Sequence, residues 1–318
     1  MTNVMLKPLK HLLKEVQSMK RYKKFVFEAQ EGINLEVSKG ENEELIIKAM
    51  IGTGKCQNYQ NPPIPYGYRY VTGEWYSGFV IERLSDGSQF VWIPVGYLDA
   101  NGTLDGVVFN RKFGRRNYQK DRFSSELYHE TFNGELKLQA ESVKKHGGFY
   151  FSRYNISKNE KTGKPQSVKG ERPWTGINFD EAMQISATME TSYAIKSHLI
   201  FGAEYDSVLE WIIKSKAKSY EEIACDSTDF GNYDNTWKGI KKVAETDSKK
   251  EWQINNICDL AGNVSELTQE QFHDDSQHVR RGGSCFDEGD NNPVSFRLGI
   301  EDIYKLETMG FRIALYIK

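Results

Sequence analysis

The segment from residue 256 to residue 318 constrains the fold more strongly than any other part of the chain. An apolar stretch near its start ends in Gly262-Asn263, a dipeptide that tolerates the left-handed backbone of a tight turn. The run GFRIALYI at residues 310–317 is β-branched and aromatic, which predicts a strand. Residues 285–308 precede that strand and follow neither the helical nor the strand period. Loops of this length inside a compact domain are usually functional or disordered, so we expect a functional loop held at both ends by strands.

Three motifs in this segment carry a family resemblance. They are DLAGNVSEL, RRGGSCF and MGFRIAL, in that order, with a lone arginine at position 297 between the last two. Together they resemble the C-terminal signature of the formylglycine-generating-enzyme, or sulfatase-modifying-factor, family. The resemblance implies an α+β fold of the C-type-lectin-like kind, with twisted antiparallel sheets, two helices and long irregular loops. Leu267 stands where the family usually has tryptophan, and an aliphatic side chain there packs less area without requiring another fold.

The family includes enzymes, and its metal ligands can be compared with this chain. In the copper-dependent members two cysteines follow the R-G-G-S motif, and Asp287 and Asn292 stand at those positions. Cys285 is near them but has no second cysteine after it, whereas Cu(I) requires thiolates. The related sulfoxide synthases bind iron through a histidine cluster, a spacing that His273 and His278 do not provide. We therefore predict a protein that is not an enzyme; the alternative is a metal-dependent oxidase or sulfoxide synthase of this family.

A second branch of the same fold fits the motifs better, namely the variable proteins of diversity-generating retroelements. Many of these are phage tail receptor-binding proteins, in which diversified side chains near the C-terminus bind the ligand and the surrounding framework stays fixed. Such a face tolerates substitution only when its backbone is held elsewhere. The resemblance implies that the framework residues are Arg281, Gly282, Gly283, Arg297, Gly310, Phe311 and Arg312. It implies that 284–308 is the variable region, with ligand-binding residues Cys285, Asp287, Glu288, Asp290, Asn291, Asn292, Ser295, Gly299, Ile300, Glu301, Ile303, Tyr304 and Lys305.

These assignments predict the partners. The ligand is expected to be a protein or glycan on a bacterial surface, bound by a phage or prophage tail protein. Acidic residues on the face favour basic or amine-bearing ligands, or glycans bridged by calcium. Because several weak faces on one body give avidity, a homo-oligomer such as a trimer is expected. The alternative for residues 284–308 is an ordinary solvated loop.

Composition excludes several other classes. A net charge of −2 gives no reason to expect nucleic acid or an anionic membrane as the main partner, and 13% aromatic residues argue against disorder. No apolar run approaches the length of a membrane span, and the start of the chain is too short for a signal-peptide core. The four scattered cysteines form no disulfide framework. We expect synthesis in the cytoplasm without a signal peptide and action in the virion tail or after release; the alternative is a cytoplasmic protein.

The N-terminal part of the chain differs from the rest. Leucines at helical spacing among many lysines predict a basic amphipathic helix before residue 25, followed by short strands at 25–27 and 45–47. We interpret residues 1–55 as a small attachment or oligomerisation module that binds another component of a phage tail or particle. Residues 56–318 are predicted to form the C-type-lectin-like domain, after a linker near 52–63.

The middle of the chain supplies further elements. Residues 78–82 and 89–95 predict two strands joined by a turn, and 147–156 predicts another. Asn178 and Glu181 match a capping box, which marks the start of a helix. A second helix is predicted from the apolar stripe Tyr205, Val208, Leu209, Ile212 and Ile213. The residues 99–106 predict a plain loop and 111–129 an insertion.

One further stretch suggests a cation. Residues 226–237 are dense in Asp and Asn, and the resemblance implies a structural calcium ion near Asn263 and Glu266. The alternative is a turn-rich loop whose Asx side chains satisfy their own backbone. Apart from such calcium, no cofactor is expected.

Overall fold

The computed structural model describes residues 24–30, 33–39, 45–51, 62–74, 77–95, 97–98, 104–105, 128–130, 133–192, 195–237, 239–272 and 277–318. The predicted N-terminal amphipathic helix and the linker up to residue 61 lie outside these residues. His273 and most of the predicted loop at 99–106 and insertion at 111–129 lie outside them as well.

Within these ranges the chain forms strands and four α-helices. The strands are β1 (Lys24–Gln30), β2 (Ile33–Lys39), β3 (Leu45–Ile51), β4 (Tyr68–Thr72), β5 (Val80–Arg83), β6 (Gln89–Pro94), β7 (Tyr97–Leu98), β8 (Leu104–Asp105), β9 (Tyr128–Glu130), β10 (Gly148–Ser152), β11 (Ser157–Lys158), β12 (Pro165–Gln166), β13 (Ile195–Leu199), β14 (Gln253–Ile254), β15 (Ile257–Cys258), β16 (Ser265–Phe272), β17 (Gln277–Arg281), β18 (Arg297–Glu301), β19 (Met309–Phe311) and β20 (Ile313–Ile317). The helices are α1 (Asn133–His146), α2 (Phe179–Thr188), α3 (Gly202–Lys214) and α4 (Tyr220–Ala224). No helix among the described residues is both long and apolar enough to cross a membrane.

A separate three-stranded sheet lies near the N-terminus. Its order is β1-β2-β3, and both pairs are antiparallel. Of these strands, β1 and β3 are predicted from the sequence, whereas β2 is omitted, although INLEVSK alternates apolar and polar residues as a strand does. The surrounding residues are Gly, Glu and Asn, which makes the whole stretch resemble a polar loop. The boundary proposed at residue 55 stays a prediction.

A six-stranded antiparallel sheet organises the main domain. Its order is β13-β20-β10-β6-β5-β4. The single strand predicted at 310–317 is divided at Arg312, because Met309–Phe311 forms β19 of another sheet and Ile313–Ile317 forms β20. β20 lies between β13 and β10 with all five residues buried. The strands predicted at 78–82 and 89–95 are confirmed as β5 and β6.

Both faces of this sheet are covered. Along β6, Phe90 and Trp92 belong to one apolar cluster, whereas Val91 and Ile93 belong to another. Because successive side chains of a strand point to opposite faces, the sheet separates two cores. α3 packs its predicted stripe into the cluster of Val91, and α2 packs into the cluster of Phe90. The central strands β6, β10 and β20 are buried on both faces and are therefore mainly apolar rather than alternating, whereas the edge strand β4 is mostly exposed.

Helix α2 begins as the sequence predicts. The side chain of Asn178 accepts a hydrogen bond from the backbone of Glu181, and the Glu181 carboxylate accepts one from the backbone of Asn178. This capping box is confirmed. Besides the two predicted helices, α2 and α3, the described residues also form α1 and the short α4. The α1 sequence, NGELKLQAESVKKH, has few apolar residues and therefore a weak helical period.

A second sheet brings the sequence motifs together. Its order is β18-β17-β16-β19, with β9 also paired to β16, and β19 runs parallel to β16. Glu266 of the first motif lies opposite Arg281 of the second and beside Gly310 of the third. Arg281 lies opposite Arg297 in turn. Leu267 is buried against the same cluster as Phe311, so this position keeps its place in the core without an aromatic ring.

Gly262 provides a test of the predicted turn. Gly262 and Asn263 have φ of +67° and +61°, as expected for a left-handed turn, and a Cβ at Gly262 would lie 2.5 Å from the carbonyl oxygen of Asn232. Gly262→Ala should therefore lower the free energy of unfolding by about 3 kcal/mol, through both strain and overlap. Gly163→Ala is the matched control, since φ is +69° there but no atom lies within 4 Å, and it should cost about 1 kcal/mol. Equal losses in urea denaturation would contradict the steric argument.

Candidate functional site

Three buried arginines lie at the centre of the motif region. Arg281 and Arg312 belong to the second and third motifs, Arg297 is the lone arginine between them, and none of the three has measurable solvent exposure. A buried charge is stable only when it is paired and hydrogen-bonded, because burial removes its hydration. Each of these guanidiniums has a buried carboxylate partner.

Asp206 on α3 is shared by two of the arginines. Arg281 donates to its Oδ1 at 2.7 Å, and Arg297 donates to its Oδ2. Arg297 also donates through Nε to both oxygens of Glu270 on β16, at 3.1 and 3.0 Å. Burial acts to raise the pKa of Asp206, but Arg297 and Arg281 outweigh it and hold that pKa below its ordinary value. Asp206 is therefore a fixed anion that ties α3 to β17 and β18.

These pairs also hold the backbone of the predicted variable region. Besides binding Asp206, Arg281 donates to the carbonyl oxygens of Ser295 and Phe296 at 3.0 and 3.2 Å. At the other end of this stretch, the Asp287 carboxylate accepts hydrogen bonds from the Ser284 backbone and hydroxyl at 2.8 and 2.7 Å. The stretch from 284 to 296 is thus fixed at both ends.

Arg312 fixes the strand that follows. Its Nε donates to Glu266 at 2.6 Å, and its other nitrogens donate to the carbonyl oxygens of Ser152, Arg153 and Cys258. The side chain thereby connects the six-stranded sheet with the sheet of the motifs.

The structure corrects two members of the predicted ligand face. Cys285 and Ser295 are completely buried and cannot contact a ligand in this conformation. The Cys285 backbone bonds to the carbonyl of Asn263, and burial raises the pKa of its thiol to about 11. Sequence reasoning treated them as part of an exposed run, but a folded loop turns some of its side chains inward.

The other predicted residues of the first half lie at the surface. Glu288, Asp290 and Asn291 are exposed, and Asp287 and Asn292 are partly exposed. The prediction left out Phe286, whose side chain is 66% exposed, because only polar residues of this run were selected.

The second half lines an open groove of about 310 Å³, which we name the 299–306 groove. It is lined by Gln277, Gly299, Ile300, Glu301, Tyr304 and Leu306. Four of these were predicted from the sequence as ligand-binding residues. Beside the groove, Ile303 is exposed and Lys305 pairs with Glu181 of α2 at 2.6 Å.

Gly299 differs from the other positions in the groove. A Cβ there would lie 2.5 Å from the ring of Phe272 and 2.9 Å from the Gln277 side chain. A larger residue at this position would therefore require the Phe272 ring to move.

The two halves contact different parts of the protein. The first half bonds to residues 226–237, for example through the Asp234 backbone and the Asp287 carbonyl at 2.9 Å. The second half contacts the start of α2, through Lys305 and Glu181, and the segment before it, where the Gly176 backbone bonds to the Leu306 carbonyl at 3.1 Å. The predicted face therefore comprises two patches at opposite ends of β18.

The positions to which calcium was assigned have protein partners. Asn263 Oδ1 accepts hydrogen bonds from the Asn232 side chain at 3.1 Å and the Ala244 backbone at 2.7 Å. Glu266 binds Arg312 and accepts a hydrogen bond from Asn155. Calcium at these positions stays a prediction, and its binding would have to displace these donors. Among the described residues, no three His, Cys, Asp or Glu side chains are grouped as metal ligands.

Sequence reasoning did not identify the acids that pair with the arginines. Asp206 lies in an apolar helix and Glu270 in a buried strand, SELTQEQF. The available signal was a charged residue within a buried stripe, since such a residue is rarely fully buried without a partner.

The buried arginine cluster should contribute strongly to the stability of the fold. Arg297→Met should lower the free energy of unfolding by about 3 to 5 kcal/mol, because Asp206 and Glu270 lose a buried partner. Arg69→Met is the control, since Arg69 is 65% exposed and pairs with Glu82 at the surface, and it should cost less than about 1 kcal/mol. A second change, Glu270→Met, should restore part of the loss caused by Arg297→Met. Similar costs for the two single variants in urea denaturation would contradict this prediction.

The buried carboxyl of Asp259 should make the stability of the protein depend on pH. Burial raises the pKa of this carboxyl to about 6 in the folded protein, so the unfolded chain loses the proton first as pH rises. The free energy of unfolding should therefore fall by about 2 to 3 kcal/mol between pH 4 and pH 7 on account of this group. Asp259→Asn removes this term, so the variant should gain stability relative to the natural protein at pH 7 but not at pH 4. A stability difference that is the same at both values would contradict the assignment.

Comparison with known proteins identifies the family. Residues 86–317 match the model of the sulfatase-modifying factor enzyme 1-like domain. Similar solved structures include Treponema denticola variable protein 1 (TM-score 0.42, 14% identity, covering 79% of this chain and 99% of that chain) and PvdO from Pseudomonas aeruginosa (TM-score 0.46, 12% identity, 74% and 97%). CarF is also similar (TM-score 0.37, 15% identity, 65% and 93%), whereas the curated protein sequences give no significant match. The chain belongs to the sulfatase-modifying-factor, or formylglycine-generating-enzyme-like, family, and its fold is of the α+β, C-type-lectin-like class that the motifs predict.

Proposed function

We propose that this chain is a non-enzymatic ligand-binding protein that presents residues 284–308 on a C-type-lectin-like scaffold. The observation that carries the proposal is the contrast between the fixed backbone and the exposed side chains of this segment. Its backbone is fixed by Arg281, Arg297 and the Ser284–Asp287 turn. Many of its side chains nevertheless face solvent, at 286, 288, 290, 291, 301 and 303–305. A preorganised backbone with free side chains is suited to recognition.

The donor set supports a role without copper chemistry. Asp287 and Asn292 stand at the family's cysteine positions, and the Asp287 carboxylate is engaged by Ser284. A soft Cu(I) ion requires thiolates, and the raised pKa of Cys285 keeps that thiol protonated at neutral pH. These residues do not fit a copper site.

The finer role that we propose is host recognition by a phage or prophage tail protein with a retroelement-diversified face. Its ligand would be a protein or glycan of the bacterial surface, and residues 1–55 would attach the domain to the particle. The groove supports this role, because Tyr304 offers an amphipathic ring and Glu301 a charge beside apolar Ile300. Oligomerisation would add avidity to a face of this modest size.

The alternative is a metal-dependent oxidase or sulfoxide synthase, which the family match favours because the family includes enzymes. Elemental analysis of the purified protein by mass spectrometry separates the two. We expect no stoichiometric copper or iron. About one copper or iron ion per chain, together with oxygen-dependent oxidation of a thiol substrate, would establish the enzyme instead.

The binding role is tested on the groove. The double variant Glu301→Gln, Tyr304→Ala should reduce attachment of fluorescently labelled full-length protein to a panel of bacterial cells by about tenfold or more, because it removes the ring and the charge of the groove. The unfolding free energy should change by less than about 0.5 kcal/mol, since both side chains are exposed.

The matched control is Tyr220→Ala, Glu221→Gln on α4. Tyr220 is 53% exposed and Tyr304 is 48% exposed, so both variants remove similar surface groups. The control should leave attachment unchanged. The proposal is contradicted if the groove variant and the α4 control attach equally well to every strain that the natural protein binds.

A further inference from the structure

Two exposed aromatic side chains lie where two loops meet outside the groove. Trp237 is 96% exposed, and Phe286 is 66% exposed. Trp237 ends the 226–237 loop, and Phe286 belongs to the 284–292 loop. Tryptophan is a large apolar residue, and interfaces are enriched in it at the positions that contribute most to affinity. Such exposure therefore indicates an interaction surface.

Direct hydrogen bonds join the two loops. The Asp234 backbone donates to the Asp287 carbonyl at 2.9 Å, and the Ser227 backbone donates to the Gly289 carbonyl at 3.0 Å. The Asn235 side chain accepts from the Gly289 backbone at 3.0 Å and donates to Asp290 at 3.1 Å. The loops therefore form one continuous surface.

Chain geometry places the Cα atoms of both aromatic residues near these bonds. Trp237 is two residues from Asn235, so their Cα atoms are at most about 7.6 Å apart, and Phe286 adjoins Asp287 at about 3.8 Å. The backbone beneath is fixed, because Thr236 donates to the Thr228 carbonyl at 2.6 Å and buried Tyr233 donates to the Gly282 carbonyl at 2.8 Å. These hydrogen bonds fix the backbone of both loops in the absence of a partner.

The charge around the rings is negative. Residues 226–242 and 284–292 contain six carboxylates and three lysines, which leaves a net charge of −3. Lys241 is paired with Asp234 at 3.0 Å. On the 284–292 side, where Phe286 lies, Glu288 and Asp290 are exposed and no lysine or arginine is present.

We propose that Trp237, Phe286, Glu288 and Asp290 form a docking platform for a cationic segment of a partner protein, with arginine or lysine side chains over the rings. Cations are attracted to aromatic faces, most strongly to that of tryptophan, and guanidinium groups both stack on rings and pair with carboxylates. This inference rests on the proposed binding role and extends its contact surface to the 226–237 loop, beyond residues 284–308.

The test uses the full-length protein and a hexa-arginine peptide as the probe, with binding measured by isothermal titration calorimetry. We expect binding that weakens with salt, because the attraction is electrostatic. Trp237→Ala should weaken it about fivefold, and so should the double variant Glu288→Gln, Asp290→Asn, in which the introduced amide oxygen can still accept the hydrogen bond from Asn235. The groove variant Glu301→Gln, Tyr304→Ala should change it by less than about twofold, because its side chains lie at the other end of β18.

Three outcomes would overturn this inference. The first is hexa-arginine binding that Trp237→Ala leaves unchanged. The second is no hexa-arginine binding by the natural protein. The third is that the natural protein binds a neutral or amino-sugar oligomer instead of the peptide and that Trp237→Ala abolishes this binding. That result would assign the platform to glycans. The cell-attachment experiment with the groove variant separates this inference from the proposed function. If the groove variant loses attachment to cells but Trp237→Ala does not change peptide binding, the proposed function is supported and the platform is not.

Discussion

The carboxylate of Asp206, shared between Arg281 and Arg297, is the interaction on which the rest of the site depends. It lies on a helix that packs against the six-stranded sheet, while its partners lie on two strands of the other sheet. Burying these charges is costly, but removing one partner is costlier still, since it leaves the remaining charge without compensation. The cluster therefore connects the three elements directly, since both arginines donate to the same carboxylate.

The sequence motifs predict the framework better than they predict the contacts. The Gly262-Asn263 turn and the capping box are local signals, and each has its expected structure. The C-terminal run is extended as predicted, but it is divided at Arg312 between two sheets. The partners of the arginines are separated from them by long stretches of sequence, as with Asp206 and Arg297. Nothing local marks Asp206 as their counter-ion, so this pairing emerges only in the folded protein.

Loop side chains are the least predictable part. Cys285 and Ser295 lie in the same polar run as Glu288 and Asn291, yet the first two are buried and the last two exposed. A strand or helix has a period that separates inside from outside, whereas an irregular loop has none. Trp237 illustrates the same limit, because a stretch read as Asx-rich turns also presents the most exposed of the large apolar side chains among the described residues.

The close approach of Phe272 to Gly299 has a consequence for how the groove can vary. Any side chain larger than glycine at position 299 requires the Phe272 ring, at the end of β16, to move. Substitution at this position is therefore coupled to the packing of a neighbouring strand. The exposed side chains of Ile303 and Tyr304 can change without displacing a buried neighbour, so the tolerance to substitution differs from one position of the same groove region to the next.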